Sequence, residues 1–149
     1  MKTLRASFEI GPGQLNWFLG TQQINEALQA KSIEALDMAA AAVLQRLRVS
    51  FQAEQGPDGT PWKPSKSGAR RKAQGLGQTM FKTGNLFHSI QLFRVGENER
   101  AIGTDVEYGR KHQFGKGDMF RPFLGLTDEH RSLVESIFVK KLKTLGAIK

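Results

Sequence analysis

Three histidines, His88, His112 and His130, have the widest chemical reach in this chain. A neutral imidazole can ligate a metal or take a proton near pH 7. The three lie in separate stretches of sequence, and none has a partner at metal-binding spacing such as His-x₃-His. The chain has no cysteine, so it has neither a zinc-completing thiolate nor a disulfide framework. Ser65, Thr83 and Ser89 are candidate nucleophiles, but none stands in a Gly-x-Ser-x-Gly elbow. Asp58, Asp105, Glu107 and Asp118 are dispersed among turns, and Asp105 and Glu107, two apart, do not share a helix face. A metal nuclease can be drawn from Asp58, Glu107 and His112. The plainer reading makes Asp58-Gly59 a tight turn and His112 a packed imidazole that fixes local backbone. Gly75-x-Gly77 and Gly115-x-Gly117 lack the Lys-Ser/Thr ending of a phosphate loop. No catalytic, cofactor-binding or metal-ligating residue is therefore assigned, and no cofactor is expected.

Charge raises a second chemistry. Twenty-two Lys and Arg against fourteen Asp and Glu give a net charge of +8. Residues 1–60 hold five basic and six acidic residues, a net of −1. Residues 61–149 hold seventeen and eight, a net of +9. Such a surface either stays solvated or meets an acidic partner, protein or nucleic acid. Arg70-Arg71-Lys72, Arg110-Lys111 and the C-terminal lysines have the chemistry of phosphate contacts. Trp62, Phe81 and Phe87 have the flat faces on which bases stack. A basic nucleic-acid-binding module is thus one functional reading, although no helix-turn-helix, zinc-finger or RNP pattern supports it. The alternative treats these aromatics as core or turn anchors, with Trp62, between Pro61 and Lys63-Pro64, pinning a loop to the body.

The elements that must position these residues follow from periodicity. A length of 149 residues fits one domain, 1–149, able to bury roughly 68–70% of its unfolded surface. Neither a signal-peptide core nor an apolar run of the ~20 residues needed to span a membrane occurs. Residues 4–10 alternate in polarity as a half-buried strand, ended by Gly11-Pro12-Gly13. Residues 14–29 are compatible with helix. From Ser32 to Ala53, Ile33, Leu36, Ala40, Val43, Leu44, Leu47 and Phe51 recur at helical spacing, with Ser32 as N-cap. Residues 54–82 form a long loop, with a short basic helix near 67–74. That length marks a working segment, expected to become ordered on assembly. Thr83 caps a short helix, strands at 90–95 and 100–103 form a hairpin, and a helix covers 105–114. Arg121 to Gly125 is expected as an edge strand, where Pro122 is tolerated. Thr127 caps a last helix whose apolar face carries Leu133, Val134, Ile137, Phe138 and Leu142. The class is α+β: a small, mostly antiparallel sheet packed on a long amphipathic helix, with a C-terminal helix.

Five blocks stand in order. They are Phe51 with Pro57-Asp58-Gly59-Thr60-Pro61-Trp62, Thr83-Gly84-Asn85-Leu86-Phe87-His88-Ser89-Ile90, Ile102-Gly103-Thr104, Tyr108 with His112-Gln113-Phe114-Gly115, and Arg121-Pro122-Phe123-Leu124-Gly125-Leu126. The set, over about residues 32–145, resembles the phage virion-morphogenesis family of tail-completion proteins of Mu-like and related contractile-tailed phages. Gly109 stands where that pattern has Ala, and residues 1–30 do not align with it and read as a variable arm. The resemblance implies a structural virion protein and not an enzyme. It implies tail completion and head–tail joining by a ring of identical subunits, a hexamer favoured, at the head-proximal end of the tail. Implied partners are tail tube, sheath or terminator proteins and head connector proteins, with DNA in the lumen and no membrane. The implied location is the virion tail or neck, after assembly in the host cytoplasm. Trp62, Gly84, Leu86, Tyr108, His112, Gln113, Phe114, Gly115, Arg121, Pro122 and Phe123 would be its structural and contact residues. Gly59, Gly84, Gly103, Gly115 and Gly125 would hold tight backbone, and Arg121 would pair with an acid in its own or a neighbouring subunit.

Overall fold

The computed structural model describes residues 4–9 and 26–144. Helix α1, Glu26–Gln52, is its spine; 27 residues span about 40 Å. It begins six residues before the expected cap. Ser32 lies buried within the helix body. The reason is local: Ala27, Leu28, Gln29, Ala30 and Lys31 are all strong helix formers, and an existing helix extends through one Ser at little cost. The readings for residues 10–25 fall outside the described residues.

One stripe of α1 meets two different partners. Ala35, Leu36 and Ala39 pack against Phe138 and Leu142 of helix α5, Asp128–Lys143. The alanines let the two helices approach closely. Farther along, Val43, Leu44, Leu47 and Phe51 join Trp62, Leu86, Ile90, Ile102, Phe123 and Leu124 in the main core.

Strands β1 (Leu4–Glu9), β2 (Gln91–Arg94) and β3 (Glu99–Thr104) form an antiparallel sheet in the order β1-β3-β2. The hairpin pairs Leu92 with Ile102, and β1 pairs Ala6 with the same Ile102 from the other side. Strand β3 is therefore central, which explains why Ala101 to Thr104 are all buried. Arg100, 1% exposed, is the exception in type. Its Nε donates to Asp37 Oδ1 on α1 at 2.5 Å, and its Nη1 donates to the carbonyls of Gly96, Glu97 and Glu99. A buried cation is costly unless acceptors surround it, and these tie the hairpin to the helix. The architecture is α+β, as expected.

Two boundaries differ from the sequence reading. Helix α4 is Gly109–Phe114, because Thr104 Oγ1 takes the Val106 N–H and a turn occupies 107–108. Residues 121–125 are not a strand. Pro122 has no N–H for a ladder, and the next two amides bond to a side chain instead, as described below. The 54–82 segment contains helix α2, Lys66–Ala73, and is followed by helix α3, Asn85–Ser89.

Candidate functional site

The sequence blocks converge on Phe51 at the end of α1. Its ring stands edge-on to Trp62 at 5.1 Å and 89°, edge-on to Phe123 at 5.9 Å and 77°, and tilted to Phe87 at 5.5 Å. Trp62 Nε1 donates to the Pro122 carbonyl at 2.9 Å, so one indole joins the 57–62 turn to the 121–126 segment. Within that turn, Asp58 Oδ1 accepts the Thr60 N–H at 3.0 Å, and this bond holds the Asp58 carboxyl below its usual range.

Gln113 does what a neighbouring strand would do. Its Oε1 accepts the N–H groups of Phe123 and Leu124, each at 3.0 Å, and its Nε2 donates to the Leu124 carbonyl at 2.8 Å. One side chain thus satisfies three backbone groups of an irregular segment. Arg121, 4% exposed, makes no ion pair among the described residues, in contrast to the expected pairing within its own chain. Its Nε donates to the Lys63 carbonyl at 2.7 Å. Its chain segment must follow Trp62 and Gln113, which turns the guanidinium to the Lys63 carbonyl; its charge reaches Asp118 without a direct ion pair.

Gly84 caps α3 with φ of 80°, and Thr83 supports it by accepting the Asn85 N–H. Leu86 enters the core one turn later. Gly115 has ordinary φ, but a Cβ there would lie 2.0 Å from the Lys111 carbonyl, so close approach demands glycine. Gly125 has no positive φ, and a Cβ there would make ordinary contact with Pro57, so the expectation of tight backbone fails at Gly125.

The long loop is tied to the rest of its own chain. Glu54 takes φ of 57° just past α1, an unusual value for a residue with a side chain. Its carboxylate accepts from Lys72 Nζ at 2.8 Å and from the Thr79 N–H at 2.9 Å. Burial pushes the Glu54 carboxyl up, but those bonds outweigh it and hold the group below its usual value. Gln78 Nε2 adds a bond to the Gln52 carbonyl. Sequence reading missed Glu54; its position beyond the last apolar turn of α1 was the available signal.

Between this loop and the 108–121 block lies an open cleft of about 870 Å³. Lys63, Lys66, Arg71, Lys82 and Arg121 line it, with Asp118 as the one carboxylate in its lining. Asp118 pairs with Lys63, which holds its carboxyl below the usual range. His112 also lines the cleft, and its Nδ1 donates to the Met119 carbonyl at 3.3 Å. Burial holds the imidazole below its ordinary value against that bond, and Arg121 adds to the depression.

The predicted residues sort into three places. Gly84, Tyr108, His112 and Arg121 line the cleft, while Trp62, Leu86, Gln113, Pro122 and Phe123 build the junction behind it. Phe114, 67% exposed, ends α4, and Gly115 opens the outer loop that carries exposed Met119 and Phe120. Asp58, Glu107 and His112 do not assemble: no three His, Asp or Glu side chains converge as a metal site among the described residues. Among those residues, no helix is long and apolar enough to cross a membrane.

Comparison with known proteins agrees with the block pattern. The profile of the phage virion morphogenesis family matches residues 20–143. Mu-like prophage FluMu G protein 1 of Haemophilus influenzae is 29% identical over 111 residues, covering 71% of this chain and 76% of that protein. No solved structure matches the chain at a significant level.

Proposed function

Because the chain belongs to the phage virion morphogenesis family, and so serves the building of phage particles, we propose that it completes the tail and joins it to the head. In this reading it is a structural subunit and not an enzyme. Identical copies close into a ring, a hexamer favoured, by head-to-tail contacts at the head-proximal end of the tail. The ring meets tail tube, sheath or terminator proteins on one side and head connector proteins on the other. It assembles in the host cytoplasm and remains in the virion neck.

One observation supports this reading beyond the family: the end of α4 and the loop after it offer Phe114, Met119 and Phe120 to solvent next to a rigidly braced junction. Exposed apolar clusters on an otherwise basic surface suit protein contacts. The junction supplies the rigidity, since Gln113 and Trp62 lock the chain on both sides of the loop.

The test is a phage or prophage lacking this chain, imaged after induction. Filled heads and unattached tails are expected, with joining restored by added protein. Complete, infectious particles in its absence would sink the proposal. The Phe114→Asp, Phe120→Asp double variant should fold, as circular dichroism would show, and fail to restore joining.

A further inference from the structure

We propose that the cleft between the 63–85 segment and the 108–121 block binds a phosphodiester backbone. The inference adds a nucleic-acid contact to the assembly role and does not depend on ring formation.

Five cations line the cleft against one carboxylate, and that carboxylate is already committed to Lys63. Lys66, Arg71, Lys82 and Arg121 have no ion-pair partner among the described residues. For exposed Lys66 and Lys82 that is ordinary. For Arg121 it is not: a 96% buried guanidinium pays desolvation with no direct ion pair, and Asp118, whose carboxylate feels its charge, is already paired with Lys63. Arg71 repeats the pattern: its Nε is shielded from water with no hydrogen-bond partner among the described residues. An anion entering the cleft would supply what both guanidinium groups lack.

The rest of the lining selects the anion. Ser67 and Thr83 present hydroxyl groups, and Thr83 Oγ1 accepts the Asn85 N–H, which leaves its proton to donate. Phosphate oxygens only accept, so hydroxyl and guanidinium donors suit them together. Tyr108, 45% exposed, offers a ring face at the same lining, the element on which an unpaired base stacks. Cations also continue past the cleft on exposed Arg70, Arg110, Lys111 and Lys116. A single acidic side chain needs two donors. A track of positive charge across several elements fits a polymer that carries a charge at every residue. An acidic protein segment is the competing occupant.

Fluorescence anisotropy decides the matter, with a labelled 20-nucleotide oligothymidine, a 20-base-pair duplex and a poly-glutamate peptide of equal charge as probes. The intact chain is expected to bind at least one nucleic acid at low salt, with affinity falling steeply as salt rises. Lys66→Glu with Lys82→Glu should weaken binding at least tenfold and reduce the log–log salt slope by about two. Lys140→Glu with Lys143→Glu changes net charge equally on α5 and should alter affinity less than threefold. Tyr108→Ala separates the two forms of nucleic acid, since stacking matters to the single strand alone. Absence of binding at 50 mM salt, equal weakening by both double variants, or tighter cleft-dependent binding of poly-glutamate would overturn the proposal. Both double variants alter exposed side chains, so unchanged circular dichroism keeps the comparison valid.

Discussion

The two ends of α1 are held by different physics. Toward its N-terminal half, Ala35, Leu36 and Ala39 meet Phe138 and Leu142 in an apolar contact edged by one ion pair, Glu34 with Lys141 at 2.8 Å. Beyond its C-terminal end, irregular chain from three separate blocks is fastened by Trp62 Nε1, Gln113 and Glu54, each bonding to backbone groups. The first region tolerates any apolar side chain of fitting size. The second depends on particular polar atoms, because a removed partner leaves a buried N–H or C=O unsatisfied. The contrast suggests why the functional surface sits on the second region: backbone freed from helix and sheet can shape a cleft and an outward loop.

The largest effect is expected at the centre of the second region. Phe51→Ala removes the ring shared by Trp62, Phe87 and Phe123 and should cost about 3–5 kcal/mol in urea denaturation. Gln113→Ala should cost about 2–3 kcal/mol while exposing locally, so hydrogen exchange at the Phe123 and Leu124 amides should rise more than in α1. Equal acceleration in both regions would erase the distinction. Trp62→Phe keeps the aromatic packing and loses one bond to Pro122, for about 1 kcal/mol.

A fourth test uses pH. At the start of α5, Thr127 Oγ1 accepts the His130 N–H, and His130 Nδ1 accepts the Thr127 N–H at 3.1 Å. The second bond requires Nδ1 to be unprotonated. Burial, assisted by Arg46 and opposed by Glu129, holds the imidazole below its ordinary value of 6.5. The folded state thus prefers the neutral form. The associated stability is present above about pH 6.5 and is lost as pH falls through the lower folded value. His130→Gln supplies the usual capping-box side chain without titration and should flatten the melting temperature over that interval. An unchanged slope would assign the pH dependence elsewhere. The smallest effect is expected for Arg131→Ala, whose exposed 3.9 Å pair with Asp128 should contribute less than about 0.5 kcal/mol.

Legibility follows the same division. The apolar spacing of α1 and α5 exposed both helices and their buried faces, because burial of a stripe repeats every three or four residues. Thr127 was readable as a cap for a similar reason: the signal and its effect lie within one turn. Residues 121–125 misread as a strand because Phe and Leu flanked by turn residues also describe extended chain. Their partner is a glutamine side chain ten residues upstream, which no local pattern announces. Arg121 was not assigned its bond within the chain, since the Lys63 carbonyl lies 58 positions away.

Residue order alone settled the α+β class, the extent of the main apolar faces, the surplus of positive charge and the block pattern of the family. Those properties depend on composition or on contacts a few residues long. Tertiary structure decided that Lys63, Lys66, Arg71, Lys82 and Arg121 share one cleft, that Gln113 stands in for a strand, and that Glu54 ties down the loop. These arrangements join positions far apart in the chain, and they exist only after the core around Phe51 has brought the blocks together.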